Sequence, residues 1–197
     1  MQKAASILLE GVLMTAISMD WTKGVLTGAG VLETGKTLGE IRPIFYDREA
    51  ASRMPAHLEI YRVQSYTPVA AGTEGGLYLA GTILQPGKVG NEYFMTRGHF
   101  HHVRNRAEYY FTFHGTGALL LMDEGRTTRY EKMSPGSVHY IAGSTAHRVA
   151  NIGDTPLVFS ACLPSDAGYD YETIERDGFS ARMFELDGEP VLVPEGS

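Results

Sequence analysis

The chain has 197 residues, of which 43% are hydrophobic and 20% charged, proportions that support a sizeable core in one domain and exclude a disordered chain. Its 17 Lys and Arg against 23 Asp and Glu leave a formal net charge of −6, opposite in sign to the basic face of a nucleic-acid binder. One cysteine, Cys162, excludes an intramolecular disulfide and a cysteine-built zinc site.

In chain order, the first feature is the apolar run Ala4 to Met19 (AASILLEGVLMTAISM). Glu10 interrupts it, Lys3 is the only positive charge before it, and no A-x-A site follows. A short helix or strand packed on the domain is expected there rather than a secretory signal. No run reaches the roughly 18–20 apolar residues of a membrane helix, so no membrane partner is expected. Without an export signal or disulfide chemistry, a cytoplasmic location follows as the expectation. Trp21 and the scattered methionines read as core. Gly28-Ala29-Gly30 lacks the third glycine and the strand–helix setting of a dinucleotide loop. Asp47 is placed to cap a short helix running to Met54, stopped by Pro55.

The remainder reads as strand. Apolar or alternating runs recur at Leu77–Leu84, Tyr109–Phe113, Ala118–Met122, Ser137–Ile141, Leu157–Leu163, Arg182–Leu186 and Pro190–Val193. Turn residues separate them, at Pro86-Gly87, Gly115-Thr116-Gly117, Asp123-Glu124-Gly125, Pro135-Gly136, Gly153-Asp154 and Asp187-Gly188. Short strands at this spacing, with no long helical window between them, indicate an antiparallel sandwich or small barrel. The expected organisation is one domain, with residues 1–60 as an N-terminal extension containing short helix and 61–197 as the β-barrel.

The histidines carry the chemistry. Four of the seven fall between His99 and His114. On a strand, His99 and His101 project to one face and Phe100 and His102 to the other. The stretch Val103–Arg106 can turn the chain back, which places Glu108 on an adjacent strand facing the same interior. His147 offers a further imidazole after the Pro135-Gly136 turn. Three imidazoles and a carboxylate suit Fe, Mn, Ni, Co or Zn. Without a thiolate, an open site with room for water or substrate is more natural than a closed structural zinc site. H-x-H alone is a weak signal; with the carboxylate, Gly115, Pro135-Gly136 and the later His it becomes specific. His102 belongs to the surface or the surroundings of the ligands, and His57, His114 and His139 have no ligand spacing. Cys162, within VFSACLP, reads as a buried small hydrophobe.

These residues match the two motifs of the cupin superfamily, and the six-residue gap between His101 and Glu108 resembles the cupin-type phosphoglucose isomerases of archaea and some bacteria. The likeness extends through Pro86–Gly90, Phe94–His101, Arg106–Tyr110, Pro135–Val138, Ala146–Arg148, Asn151–Asp154 and Ala167–Tyr171, with weaker similarity at Asp20–Gly28. It implies an all-β cupin fold, a double-stranded β-helix or jelly-roll barrel. It also implies one divalent metal ion per subunit on His99, His101, Glu108 and His147, with iron(II) the first choice and Mn2+, Ni2+, Co2+ or Zn2+ the alternatives. Thr82, Thr96, Arg97 and Gly98 match positions that cradle a sugar phosphate, and Arg97 stands where the family often has Lys. That exchange adds a fork able to hold phosphate through two hydrogen bonds. Tyr110 and Tyr171 match tyrosines lining the substrate cavity. Leu58 and Leu163 stand where the best-known archaeal members have Tyr, and Tyr169 where they have His.

The implied activity is interconversion of glucose 6-phosphate and fructose 6-phosphate by proton transfer through a cis-enediol, in glycolysis and gluconeogenesis, by a homodimer. Glu108 is the expected proton shuttle, since no other carboxylate has a motif-defined place in the cavity. A hydride shift between C1 and C2 is the rival route. Two other readings fit the same ligands: a cupin metal-dependent dioxygenase or oxidase, and a sugar-phosphate-binding cupin without catalysis.

Overall fold

The computed structural model describes residues 17–196, so most of the Ala4–Met19 run lies outside the described residues. The first described elements are a hairpin of β1 (Ser18–Asp20) and β2 (Val25–Thr27) and the long β3 (Val31–Thr37). Two short helices follow, α1 (Leu38–Ile41) and α2 (Arg48–Arg53). The Asp47 side chain accepts the Ala50 amide at 2.7 Å and caps α2 as its sequence expects. Then come β4 (Glu59–Tyr66), β5 (Leu77–Leu84), β6 (Lys88–Val89) and β7 (Glu92–Tyr93). Next are β8 (Glu108–His114), β9 (Gly117–Asp123), β10 (Thr128–Met133), β11 (Val138–Ile141), β12 (Thr145–Asn151) and β13 (Leu157–Pro164). Helix α3 (Tyr171–Asp177), β14 (Ala181–Leu186) and β15 (Glu189–Pro194) complete the chain.

The architecture is mostly β with short helices, as the strand spacing predicts. Six antiparallel strands form the largest sheet, in the order β11-β8-β13-β5-β4-β3; β10-β9-β12 and β15-β14-β7-β6 form two smaller ones. Residues 94–100 run along the free edge of β12. The Thr96 amide donates to the Val149 carbonyl at 2.8 Å, the Asn151 amide to the Phe94 carbonyl at 2.9 Å, and His99 and His147 exchange both backbone bonds. His99 and Phe100 thus sit in isolated bridges rather than in a full strand. Facing residues of the sheets join in one apolar cluster that includes Leu119 and Leu121 of β9 with Tyr110 and Phe159 of the large sheet.

Two sequence expectations need correction. Trp21 is 75% exposed rather than core, because it sits in the turn after β1 with Phe113 as a ring neighbour at 5.9 Å. Cys162 is half-buried rather than buried. Strands β3, β4, β10 and β12, with the short β1, β2, β6 and β7, lie outside the expected runs, and β4 and β12 build the site.

Candidate active site

Alternation along β8 buries Glu108, Tyr110 and Thr112 and exposes Tyr109. In register beside them, Ala161 opposes Tyr110 and Phe159 opposes Thr112 on β13; Thr82 on β5 opposes Phe159, and Val63 on β4 opposes Thr82. Glu108, Tyr110 and Thr82, with Tyr61, Val63, Ala161 and Leu163, line a cavity of about 130 Å³. The other walls are residues 96–99, His147 of β12, and the Tyr169–Tyr171 segment at the start of α3.

Ligand atoms of His99, His101, Glu108 and His147 lie within 4.8 Å of one another. Glu108 Oε1 stands 2.6 Å from His147 Nε2 and 3.3 Å from His101 Nε2. The outer ring nitrogens face backbone carbonyls: His101 Nδ1 at 2.8 Å from the Arg106 carbonyl and His147 Nδ1 at 3.2 Å from that of Thr145. A carbonyl only accepts, so each Nδ1 carries the proton and each Nε2 turns a lone pair inward. His99 Nε2, His101 Nε2, His147 Nε2 and Glu108 Oε1 are all buried, and none has a directed hydrogen bond. Converging acceptors without a donor are costly to bury, and a cation removes that cost. The residues therefore fit a divalent ion, and their nitrogen-rich donor set suits a first-row transition metal. Burial pushes the Glu108 carboxyl up, but its close neighbours His147 and His101 outweigh it and hold it well below the usual range. Burial, then the neighbouring His147, lowers His99 well below its ordinary value.

The ligand loop is braced from behind. Arg106 pairs through its fork with Asp166, fixing the carbonyl that orients His101, and Arg104 donates to the His101 carbonyl while pairing with Asp170, the cap of α3. Gly98 adopts φ +75°, where a Cβ would come within 2.9 Å of Phe179 and 3.1 Å of Arg148, so only glycine makes this turn without strain. The turn sets Arg97 and His99 side by side. Arg148 donates from Nε and Nη2 to the Arg97 carbonyl at 3.2 and 2.7 Å. The Arg97 guanidinium lies 4.3 Å from the centre of the Tyr171 ring and pairs with Glu175 of α3. Tyr169 stacks on Tyr171 at 5.6 Å, with its ring centre 4.8 Å from that of His99.

The residues expected from the sequence thus converge. Thr82, Thr96, Arg97, Gly98, Tyr110 and Tyr171 line one cavity with His99, Glu108 and His147, and His101 completes the ligand group behind it. Leu163 and Tyr169 face that cavity, whereas Leu58 packs against the core and is not among its lining residues. Tyr61 is a cavity residue the sequence reading missed; burial pushes its phenol up to about 12, so it remains a hydrogen-bond donor. Its signal was the inward pair Tyr61 and Val63 alternating with Arg62 and Gln64. His57, His102 and His114 are exposed, and buried His139 is satisfied by Glu131 and Ser137, each at 2.8 Å.

A family profile described as Glucose-6-phosphate isomerase (GPI) matches residues 35–193. The glucose-6-phosphate isomerase of Pyrococcus horikoshii is 39% identical over 182 residues, 90% of this chain and 93% of that protein. That of Thermococcus litoralis is 38% identical over 181 residues, 89% and 92% of the two chains. Among solved structures, oxalate decarboxylase from Bacillus subtilis is similar over 60% of this chain, with 24% sequence identity and a TM-score of 0.43; the match spans 29% of that longer protein.

Proposed function

The chain belongs to the glucose-6-phosphate isomerase family, and on that footing we propose that it interconverts glucose 6-phosphate and fructose 6-phosphate by proton transfer at Glu108. The observation that carries this reading is the shared cavity: His99, Glu108 and His147, three of the four residues with unsatisfied ligand atoms, line the same space as the Thr96-Arg97-Gly98 turn.

Aldose–ketose exchange moves a proton between C1 and C2, and requires a base there, help for the charge developing on the oxygens, and a hold on the phosphate. His99, His101, Glu108 and His147 would hold the divalent ion, iron(II) being the first choice; when bound it supplies Lewis-acid polarisation of the sugar oxygens. Glu108 Oε1 faces the imidazoles, which leaves Oε2 to take the proton from one carbon and return it to the other through a cis-enediol. Arg97, with Thr82, Thr96 and the Gly98 amide, holds the phosphate end. Tyr110 is buried and its phenol is pushed well above its ordinary value, so it stays protonated and orients the sugar as a donor. Tyr171 supports Arg97 from below.

An assay of the metal-loaded chain with each sugar phosphate tests the reading. Net interconversion is expected, with solvent deuterium at C2 of glucose 6-phosphate recovered from D2O. No interconversion with any divalent ion would overturn it in favour of a binding cupin, and oxygen uptake would favour an oxidase. Arg97→Ala is expected to raise KM for the sugar phosphate by about 10- to 100-fold, as loss of a charged hydrogen-bond pair worth about 1.5–3 kcal/mol predicts. Its kcat should change much less, and steady-state kinetics separates the two constants.

We place this activity in the cytoplasm, in glycolysis and gluconeogenesis. A homodimer fits the outer face of the large sheet, where Tyr109, Val138 and Tyr140 are exposed side by side. Sedimentation equilibrium should give twice the chain mass, and Tyr140→Glu should shift it towards monomer; a wild-type monomer would remove the dimer.

A further inference from the structure

A second cavity of about 360 Å³ shares Arg97 with the cavity that holds the histidines and is walled by α1, α2, α3, β12 and β14. Its volume falls within the roughly 300–1,000 Å³ of small-molecule sites. Arg148 lines this cavity and not the one that holds the histidines.

The charges around it do not balance. Each carboxylate on its wall already has a cation: Glu175 pairs with Arg97, Asp177 with Arg176, Glu40 with Lys36, and Glu195 with Arg126 and Arg182. Arg182 is further held by the buried Glu92 at 3.0 Å. Two guanidiniums remain, Arg48 at the start of α2 and Arg148 on β12, and neither pairs with a carboxylate among the described residues. Arg148 is only 3% exposed and bonds through Nε and Nη2 to one backbone carbonyl, which does not neutralise its charge. Beside it, Arg182 Nε is buried with no hydrogen-bond partner.

From this cavity, its unneutralised buried guanidinium and its orphaned N–H, we infer that the chain has a second anion site for inorganic phosphate or a small phosphate monoester, held by Arg48, Arg148 and Arg182. The two guanidiniums without a carboxylate, with the orphaned Arg182 Nε beside them, suit the separate oxygens of a tetrahedral oxyanion better than the single edge of a planar carboxylate. The site is distinct from the phosphate cradle at Thr96-Arg97-Gly98 and shares only the Arg97 wall with it.

Equilibrium dialysis of the full, metal-loaded chain against radiolabelled inorganic phosphate tests it, with Arg48→Glu as the variant. Arg48 is exposed at the first turn of a short helix, where an acidic residue is tolerated, and it lies outside the isomerase cavity. The expected result is the loss of one bound phosphate per chain in Arg48→Glu, at least a tenfold weakening, with kcat and KM for the sugar phosphate unchanged. Equal phosphate binding by the wild type and Arg48→Glu would overturn the proposal.

Discussion

Glu108→Gln is expected to lower kcat for the interconversion of glucose 6-phosphate and fructose 6-phosphate by about 10²- to 10⁴-fold, the range that a positioned acid–base group contributes. The substitution keeps the shape of a side chain that is only 3% exposed and leaves the Tyr110 and Arg97 walls untouched. It removes the carboxylate proposed to take the proton from one carbon and return it to the other. Burial alone would favour a protonated Glu108, yet the adjacent imidazoles lower its carboxyl well below the usual range. Binding of the sugar phosphate to the variant should stay within a few-fold of wild type when metal is saturating. Turnover close to wild type would remove Glu108 from the proton-shuttle role, and simultaneous loss of binding would make it a binding residue instead.

His147→Ala should act one step earlier, on the ion itself. His147 is 1% exposed, its Nε2 stands 2.6 Å from Glu108 Oε1, and its backbone bridge to His99 needs no side chain. Changing a residue behind a metal ligand already weakens binding by about 10- to 100-fold. Removing a ligand outright should therefore cost at least about 100-fold in metal affinity, with activity falling in step at limiting metal. Metal content by elemental analysis and kcat at several metal concentrations check this together. Retention of one tightly held ion per chain would show that His147 is not a ligand. The two variants differ in kind: excess metal should restore part of the activity of His147→Ala and none of that of Glu108→Gln.

The ligand group was legible because it is written in local patterns: His99 and His101 two apart, Glu108 after a turn, and His147 after Pro135-Gly136. What the sequence left hidden was the strand that presents His147. Its residues TAHRVAN look polar, yet the last six of them are buried, because their polar groups find partners in the fold. Asn151 Nδ2 bonds to the Leu84 and Thr155 carbonyls, and Arg148 to that of Arg97. Strand β10 escaped for the opposite reason: TRYEKM is an edge strand, mostly exposed or half-exposed along its length, so no apolar run marks it. Strand β4 hid the cavity residue Tyr61 because its burial is only partial over most of its length. Trp21 shows the reverse error: hydrophobicity predicts burial only on average, and a large ring in a turn can remain on the surface.

One divalent ion, held by His99, His101, Glu108 and His147, is proposed to make this cavity an isomerase site. Chelator-stripped protein re-supplied with iron(II), Mn2+, Ni2+, Co2+ or Zn2+ tests it most directly in the glucose 6-phosphate to fructose 6-phosphate assay. Stripping should abolish turnover, and at least one ion should restore it with a break at one equivalent per chain. Full activity in the stripped protein, confirmed metal-free by elemental analysis, would contradict the account.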